Sequence, residues 1–151
     1  MRKGRIAAVA AIGLIAAAAG TAVAGTADGQ GAQKRALVVT TTQAMNDECQ
    51  PGATSPSSGF AILNAPGKVG SVSKINGEVS LKKGPPNTTF IVNLAQDGVC
   101  VMQGMLTTNG QGNGNFHIDQ PGALGAGPYY VVLQDTIMMQ EAYATSPVLL
   151  K

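Results

Sequence analysis

The chain has 151 residues, which is enough for one domain, and only 12% of them are charged. Its net charge of +2 depends on Arg2, Lys3 and Arg5; without them 7 basic residues face 8 acidic ones, a net charge of −1. This near-neutral balance, with the basic residues scattered, argues against nucleic acid as a partner.

The first 24 residues have the pattern of a secretory signal peptide. A basic start is followed by an apolar run over residues 6–24, which ends in Ala22-Val23-Ala24. An uncleaved membrane anchor is the alternative, since 19 apolar residues can just span a bilayer. Alanine and glycine dominate the run, however, which favours cleavage after Ala24. We therefore predict an extracellular product with no membrane partner once the signal peptide is removed.

Residues 25–34 are polar and glycine-rich, and they predict a flexible leader. The β-domain is predicted to occupy residues 35–151, with a first strand over residues 35–45 (RALVVTTTQAM). A weak edge strand is predicted over residues 69–75, before a turn at Asn76-Gly77, because both residues of this pair tolerate positive φ.

Cys49 and Cys100 are the two cysteines of the chain. In an oxidising compartment, two cysteines most simply pair with each other. Their long spacing differs from that of a redox C-x-x-C motif or of a zinc pair. We predict a structural disulfide between them; two free thiols are the alternative.

The central stretch, residues 78–119, is predicted to contain four strands. Gln96-Asp97-Gly98 indicates a tight hairpin turn. Residues 99–106 are apolar on both faces, which predicts a central strand covered on both sides. Residues 107–115 (TTNGQGNGN) are predicted to form the longest polar turn. After it, apolar and polar residues alternate again, with His117 predicted to point outward.

Later strands are predicted over residues 129–137, 141–143 and 148–150, the last two divided at Pro147. Outside the helical signal peptide, no segment shows a helical apolar period. Seven to nine short strands with turn signals between them predict an all-β fold, an antiparallel two-sheet sandwich.

Three segments carry a resemblance to a known class of proteins: PNTTFIVNL (86–94), TTNGQGNGNF (107–116) and GPYYVVL (127–133). With them the chain resembles small immunoglobulin-like β-sandwich proteins exported by bacteria, many of which have no assigned function. The similarity covers about half of the mature chain. It implies architecture alone, because the matching residues are turn formers and core positions.

Two groups of polar residues are candidate sites. Oxygen-bearing side chains alternate with glycines, as in a calcium loop, at Asn109, Gln111, Asn113 and Asn115, and Asp119 follows them. The run 109–115 itself holds no carboxylate. A glycine-rich turn is therefore the favoured interpretation. His117 and Asp119 share an outward face, yet no G-x-S-x-G motif supplies a nucleophile. We interpret His117 as a solvated surface residue.

The methionines and the tyrosines are two further groups of candidate residues. Met102, Met105, Met138 and Met139 could bind a soft metal, but core filling is the favoured interpretation. Tyr129, Tyr130 and Tyr143 are the candidates for a sugar platform, with at most one of the adjacent pair outward. Asn87-Thr88-Thr89 fits a glycosylation sequon, which we expect to be unused in a bacterial host.

These residues predict a secreted protein that is not an enzyme and holds no cofactor or metal. Its expected role is surface interaction with a protein or a cell-envelope polymer. A small carbohydrate- or ligand-binding module is the alternative. A secreted hydrolase is a third class, disfavoured because the chain has one histidine and no acid pair at a recognisable spacing.

Overall fold

A computed structural model describes residues 30–40, 49–52, 57–66, 72–121, 125–137 and 141–151. These residues form strands and connections without a helix, which confirms the predicted all-β class. The described strands are β1 (Gln30–Val39), β2 (Ser57–Ala65), β3 (Lys74–Leu81), β4 (Thr89–Gln96), β5 (Val99–Thr107), β6 (Gly114–Pro121), β7 (Gly127–Asp135), β8 (Glu141–Thr145) and β9 (Val148–Leu150).

Hydrogen bonds join all nine strands into one antiparallel sheet, in the order β5-β4-β7-β8-β1-β2-β3-β6, with β9 beside β7. The sheet curls until its two ends, β5 and β6, meet in a nearly closed, barrel-like arrangement. Side chains bridge this seam: Gln103 Nε2 donates to Gln120 Oε1 at 2.6 Å, and the Phe116 ring lies against Gly104. The hydrogen bonding thus gives one continuous sheet where two were predicted.

The main core fills the inside of this curled sheet. It follows from strand alternation, because every second side chain of a strand points to the same face. On β4, for example, Phe90, Val92 and Leu94 face inward. The largest fully buried members of the core are Tyr129, Phe90, Leu37, Leu63, Ile75, Leu81, Leu94, Leu106, Ile118, Leu133, Leu150 and Val79.

A second, smaller cluster lies on the outer face of the sheet, and the disulfide holds it together. Cys49 and Cys100 are bonded, as predicted, with their Cα atoms 5.6 Å apart. Cys49 packs with Ala95, Tyr130 and other outer residues of β4, β7 and β8. The Tyr130 hydroxyl donates to the Cys49 carbonyl at 2.7 Å. The short segment 49–52 therefore covers part of the sheet, which explains why β7 is buried on both faces.

Two boundaries differ from the sequence prediction. Strand β1 begins at Gln30, which pairs with Ala65 of β2, and Gln33 pairs with Leu63. Residues 30–34 of the predicted leader are therefore in a strand, while the signal peptide (1–24) and residues 25–29 lie outside the described residues. The Asn76-Gly77 turn prediction is wrong: both residues lie within β3, and a Cβ on Gly77 would meet the Ile62 carbonyl oxygen at 2.6 Å.

The observed disulfide is typical of proteins that mature in an oxidising, extracellular-type compartment. Among the described residues, no helix has the length and apolar character needed to cross a bilayer. Secretion itself stays a prediction from the first 24 residues.

Candidate functional site

The asparagine-rich connection between β5 and β6 is a closed turn. The Asn109 side-chain Oδ1 accepts hydrogen bonds from the amides of Gln111, at 2.9 Å, and Asn113, at 3.0 Å. Gly112 has φ of +75°, and a Cβ there would collide with the backbone of Gly84. The described residues hold no group of three or more metal-binding side chains. The carboxamide oxygen that a cation would need is already used by the backbone.

Replacing Asn109 with alanine removes both acceptor bonds, so we expect the free energy of unfolding to fall by about 1–2 kcal/mol. Asn109→Asp keeps an acceptor at the same place and serves as the matched control. Urea denaturation of the two variants and the wild type measures the difference. Equal stability of the alanine variant and the wild type would show that the turn does not depend on this side chain.

His117 and Asp119 lie on the same outward face of β6, as predicted, and each has a partner on β3. His117 Nδ1 is 2.6 Å from Glu78 Oε1, and Lys74 Nζ is 2.8 Å from Asp119 Oδ1. These are cross-strand pairs between exposed side chains, which contribute little to stability. The described contacts of His117 include no hydroxyl or thiol, so the histidine is not placed beside a nucleophile.

The tyrosines do not form an exposed sugar platform. Tyr129 points into the main core, Tyr130 into the outer cluster, and Tyr143 packs edge-to-face on Phe90 with ring centroids 5.7 Å apart. The alternation predicted for the adjacent pair is confirmed, but all three side chains are buried. Burial raises the pKa of Tyr143 and Tyr129, and the charge of Asp97 adds to the effect on Tyr129.

Strand β5 is where the structure departs most from the sequence prediction. It lies at one end of the sheet and its ladder is with β4 alone among the described strands. Val99, Met102 and Met105 are 64%, 55% and 58% exposed. The prediction of a central, doubly covered strand is therefore wrong, as is core filling by these two methionines; Met138 and Met139 lie outside the described residues.

The two exposed methionines share the outer face of the sheet with apolar and neutral neighbours on β4. Met105 pairs with Ile91, and Met102 pairs with Asn93. The Asn93 side-chain amide donates to Gln134 Oε1 at 2.8 Å, so these two buried polar side chains are hydrogen-bonded to each other. We call Ile91, Met102 and Met105 the methionine face. The sequence predictions did not include this face, although an uncharged strand holding two methionines was the available signal.

The sequon residue Asn87 lies in the turn before β4, with φ of +51°. Its amide donates to the Asn109 carbonyl at 3.2 Å, which ties this turn to the β5–β6 connection. Thr108 strengthens the same junction, because its hydroxyl donates to the Pro85 carbonyl at 2.6 Å. These bonds give the segment a structural role.

An apolar pocket opens at one mouth of the curled sheet, where β4 ends and β5 and β7 begin. Its volume is about 240 Å³, and it is lined by Leu94, Gln96, Asp97, Val99, Val101 and Tyr129. The β4–β5 turn predicted at Asp97-Gly98 forms its rim. Both turn residues have positive φ, +49° and +85°, as a tight two-residue hairpin requires.

Comparisons with protein-family profiles, with curated proteins and with solved structures found no match to this chain. The immunoglobulin-like family suggested by the turn and core motifs therefore stays a prediction. Two features of the geometry bear on function: the edge strand β5 with its exposed methionines, and the pocket beside its first residues.

Proposed function

We propose that the chain is a secreted, non-enzymatic interaction domain that binds an extended apolar segment of another extracellular protein along β5. The observation that carries this proposal is the exposure of Val99, Met102 and Met105 on an edge strand. Soluble proteins usually protect such edges with charges, prolines or bulges that point away. Strand β5 has an extra residue, Gln103, where its register with β4 shifts, but it has no charge and no proline. Its other edge faces β6 across the seam, and no hydrogen-bonded ladder joins β5 to β6 among the described residues. An uncharged edge without a ladder is typical of a strand that can pair with a partner.

The arrangement of β5 supports strand addition as the binding mode. Its nine residues (VCVMQGMLT) carry no charge, so they repel no incoming chain. Large apolar side chains stand on both faces, with Met102 and Met105 outside and Val101 at the inner mouth. A partner strand would enter the seam between β5 and β6, where it would replace the Gln103–Gln120 side-chain bond. It would gain main-chain hydrogen bonds along β5 and side-chain contacts on each face. Methionine adapts to partners of different shape, which suits a recognition surface.

We also propose that the curled sheet belongs to the immunoglobulin-like sandwich class. Its two halves support this assignment: β5, β4, β7 and β8 form one wall, and β1, β2, β3 and β6 form the other. The main core lies between them. Fold alone does not specify a partner, so the functional proposal depends on β5.

The test is binding of displayed nine-residue peptides to the mature protein, residues 25–151. We expect selected peptides to alternate apolar residues and to lose at least tenfold in affinity, about 1.4 kcal/mol, against the double variant Met102→Glu/Met105→Glu. Leu149→Glu is the matched control, since Leu149 is also an apolar strand residue that is 52% exposed. Fluorescence anisotropy of the labelled peptides measures each affinity.

Backbone N-methylation of the peptides separates strand addition from simple apolar adhesion. Methylation of alternate amides on the pairing edge should abolish binding, because it removes ladder donors. The proposal is wrong if methylated and unmethylated peptides bind equally, or if the β5 double variant and the Leu149 variant bind alike. Sedimentation of the protein with purified cell wall, without peptide binding, would favour the envelope-polymer alternative.

A further inference from the structure

The pocket at the sheet mouth has mostly apolar walls and one charged group. Leu94 and Tyr129 belong to the buried core and form its floor. Val101 and the exposed Val99 form one side, so the pocket opens to solvent beside the first residues of β5. The mouth of a curled sheet is a common place for small-molecule sites, which combine apolar walls with few polar groups.

Two of the polar side chains in the pocket already have partners. The Tyr129 hydroxyl donates to the Gly125 carbonyl at 2.6 Å. Gln96 Nε2 donates to the Ala126 carbonyl at 3.3 Å. Both bonds tie the pocket wall to the connection before β7, so these groups serve the structure of the site.

Asp97 is the remaining polar group and the source of charge in the pocket lining. It lies at the rim in the β4–β5 turn, and the ion pairs among the described residues do not include it. Burial raises the pKa of Tyr129 and the charge of Asp97 adds to this effect, which agrees with a carboxylate near the pocket floor. A ligand with its apolar part inside would therefore place its polar end beside a carboxylate.

We infer that this pocket binds a small organic cation, an apolar body carrying an ammonium group, with the body against Val99 and Val101 and the ammonium beside Asp97. The apolar walls provide the main attraction through removal of apolar surface from water. The negative charge of the Asp97 carboxylate favours a ligand whose end group is positively charged. This site is independent of the strand-addition proposal, since neither methionine of the methionine face lines it.

The probes are n-hexylamine, n-hexanol and hexanoate, which share a chain and differ in the charge of the end group. Two-dimensional amide NMR of the ¹⁵N-labelled mature protein follows each titration. We expect saturable shifts at Gln96, Val99 and Val101. Hexylamine should bind about two- to fivefold more tightly than hexanol, which is the range for an exposed ion pair. Hexanoate should bind more weakly than both.

Asp97→Asn is the decisive variant, because asparagine tolerates the positive φ of this turn while the charge is lost. We expect it to bind hexylamine and hexanol equally, with hexanol affinity unchanged. Glu78→Gln is the matched control, because it removes one exposed carboxylate on β3, outside the pocket lining, and it should keep the preference for the amine. Absence of saturable binding, equal binding of amine and alcohol to the wild type, or a preference that survives in Asp97→Asn would each overturn the inference.

Discussion

Replacement of both Cys49 and Cys100 by alanine is expected to lower the free energy of unfolding of the mature domain by about 3–5 kcal/mol. The bonded residues are 51 positions apart in the sequence. Closing a loop of that length restricts the unfolded chain by about 4 kcal/mol in the chain-entropy description. The native state loses contacts as well, because Cys49 is fully buried in the outer cluster.

The loss should also be visible as local opening of the segment 49–52. The amide of Cys49 donates to the Gly98 carbonyl at 3.1 Å, and that of Gly52 donates to the Thr145 carbonyl at 2.9 Å. Without the covalent link, the segment is held by non-covalent contacts, among them these two bonds and the bond from the Tyr130 hydroxyl to the Cys49 carbonyl. Hydrogen exchange at both amides should therefore accelerate more than exchange at the centre of β7.

Guanidinium denaturation measures the stability change, with reduced wild-type protein as the control that keeps both sulfur atoms. Reduced wild type and the double alanine variant should lose similar stability if the covalent link dominates. A loss below about 1 kcal/mol in both would contradict a structural role for the disulfide.

Local features were predictable where the chemistry of neighbouring residues decides them. The Asp97-Gly98 turn required positive φ at two adjacent positions, and this pair adopts it readily. The alternation of Phe116, His117 and Ile118 assigned inward and outward faces correctly, because the period of a strand is two residues. The disulfide followed from parity and compartment.

Features that depend on topology were not predictable in the same way. An apolar run such as β5 has the same pattern in a central strand and in an edge strand that meets a partner. Its position became clear only from the strand order, in which β4 pairs on one side and β6 approaches across a seam. The turn predicted at Asn76-Gly77 is wrong for a related reason. Gly77 has no Cβ, which allows the close approach of β2, and the sequence alone does not distinguish this role from that of a turn residue.

The residues that line the pocket are also brought together by the topology of the sheet. Leu94 and Val101 come from one hairpin, but Tyr129 comes from β7. Their meeting depends on the pairing of β4 with both β5 and β7. No spacing in the sequence marks that register, so the pocket could not be inferred before the sheet order was known.

Replacing Phe90 with alanine is expected to lower the free energy of unfolding by about 3–5 kcal/mol. Phe90 is 2% exposed in the main core, on the strand that joins β5 to β7. The change removes apolar surface from the interior and leaves a cavity that the surrounding strands cannot fill without moving. It also removes the edge-to-face contact with Tyr143, in which the planes of the two rings form an angle of 79°.

Phe90→Leu keeps the measurement interpretable if the alanine variant fails to fold, because leucine fills most of the space and should lose clearly less stability. Ile137→Ala is the surface control: Ile137 is 88% exposed, so its truncation should change stability by no more than about 0.5 kcal/mol. Guanidinium denaturation with the disulfide intact gives all three values. Losses that rank alanine, then leucine, then the surface variant follow from a close-packed interior inside the curled sheet. An alanine variant as stable as Ile137→Ala would mean that β4 does not face that interior, which would also displace the pocket and the edge strand it supports.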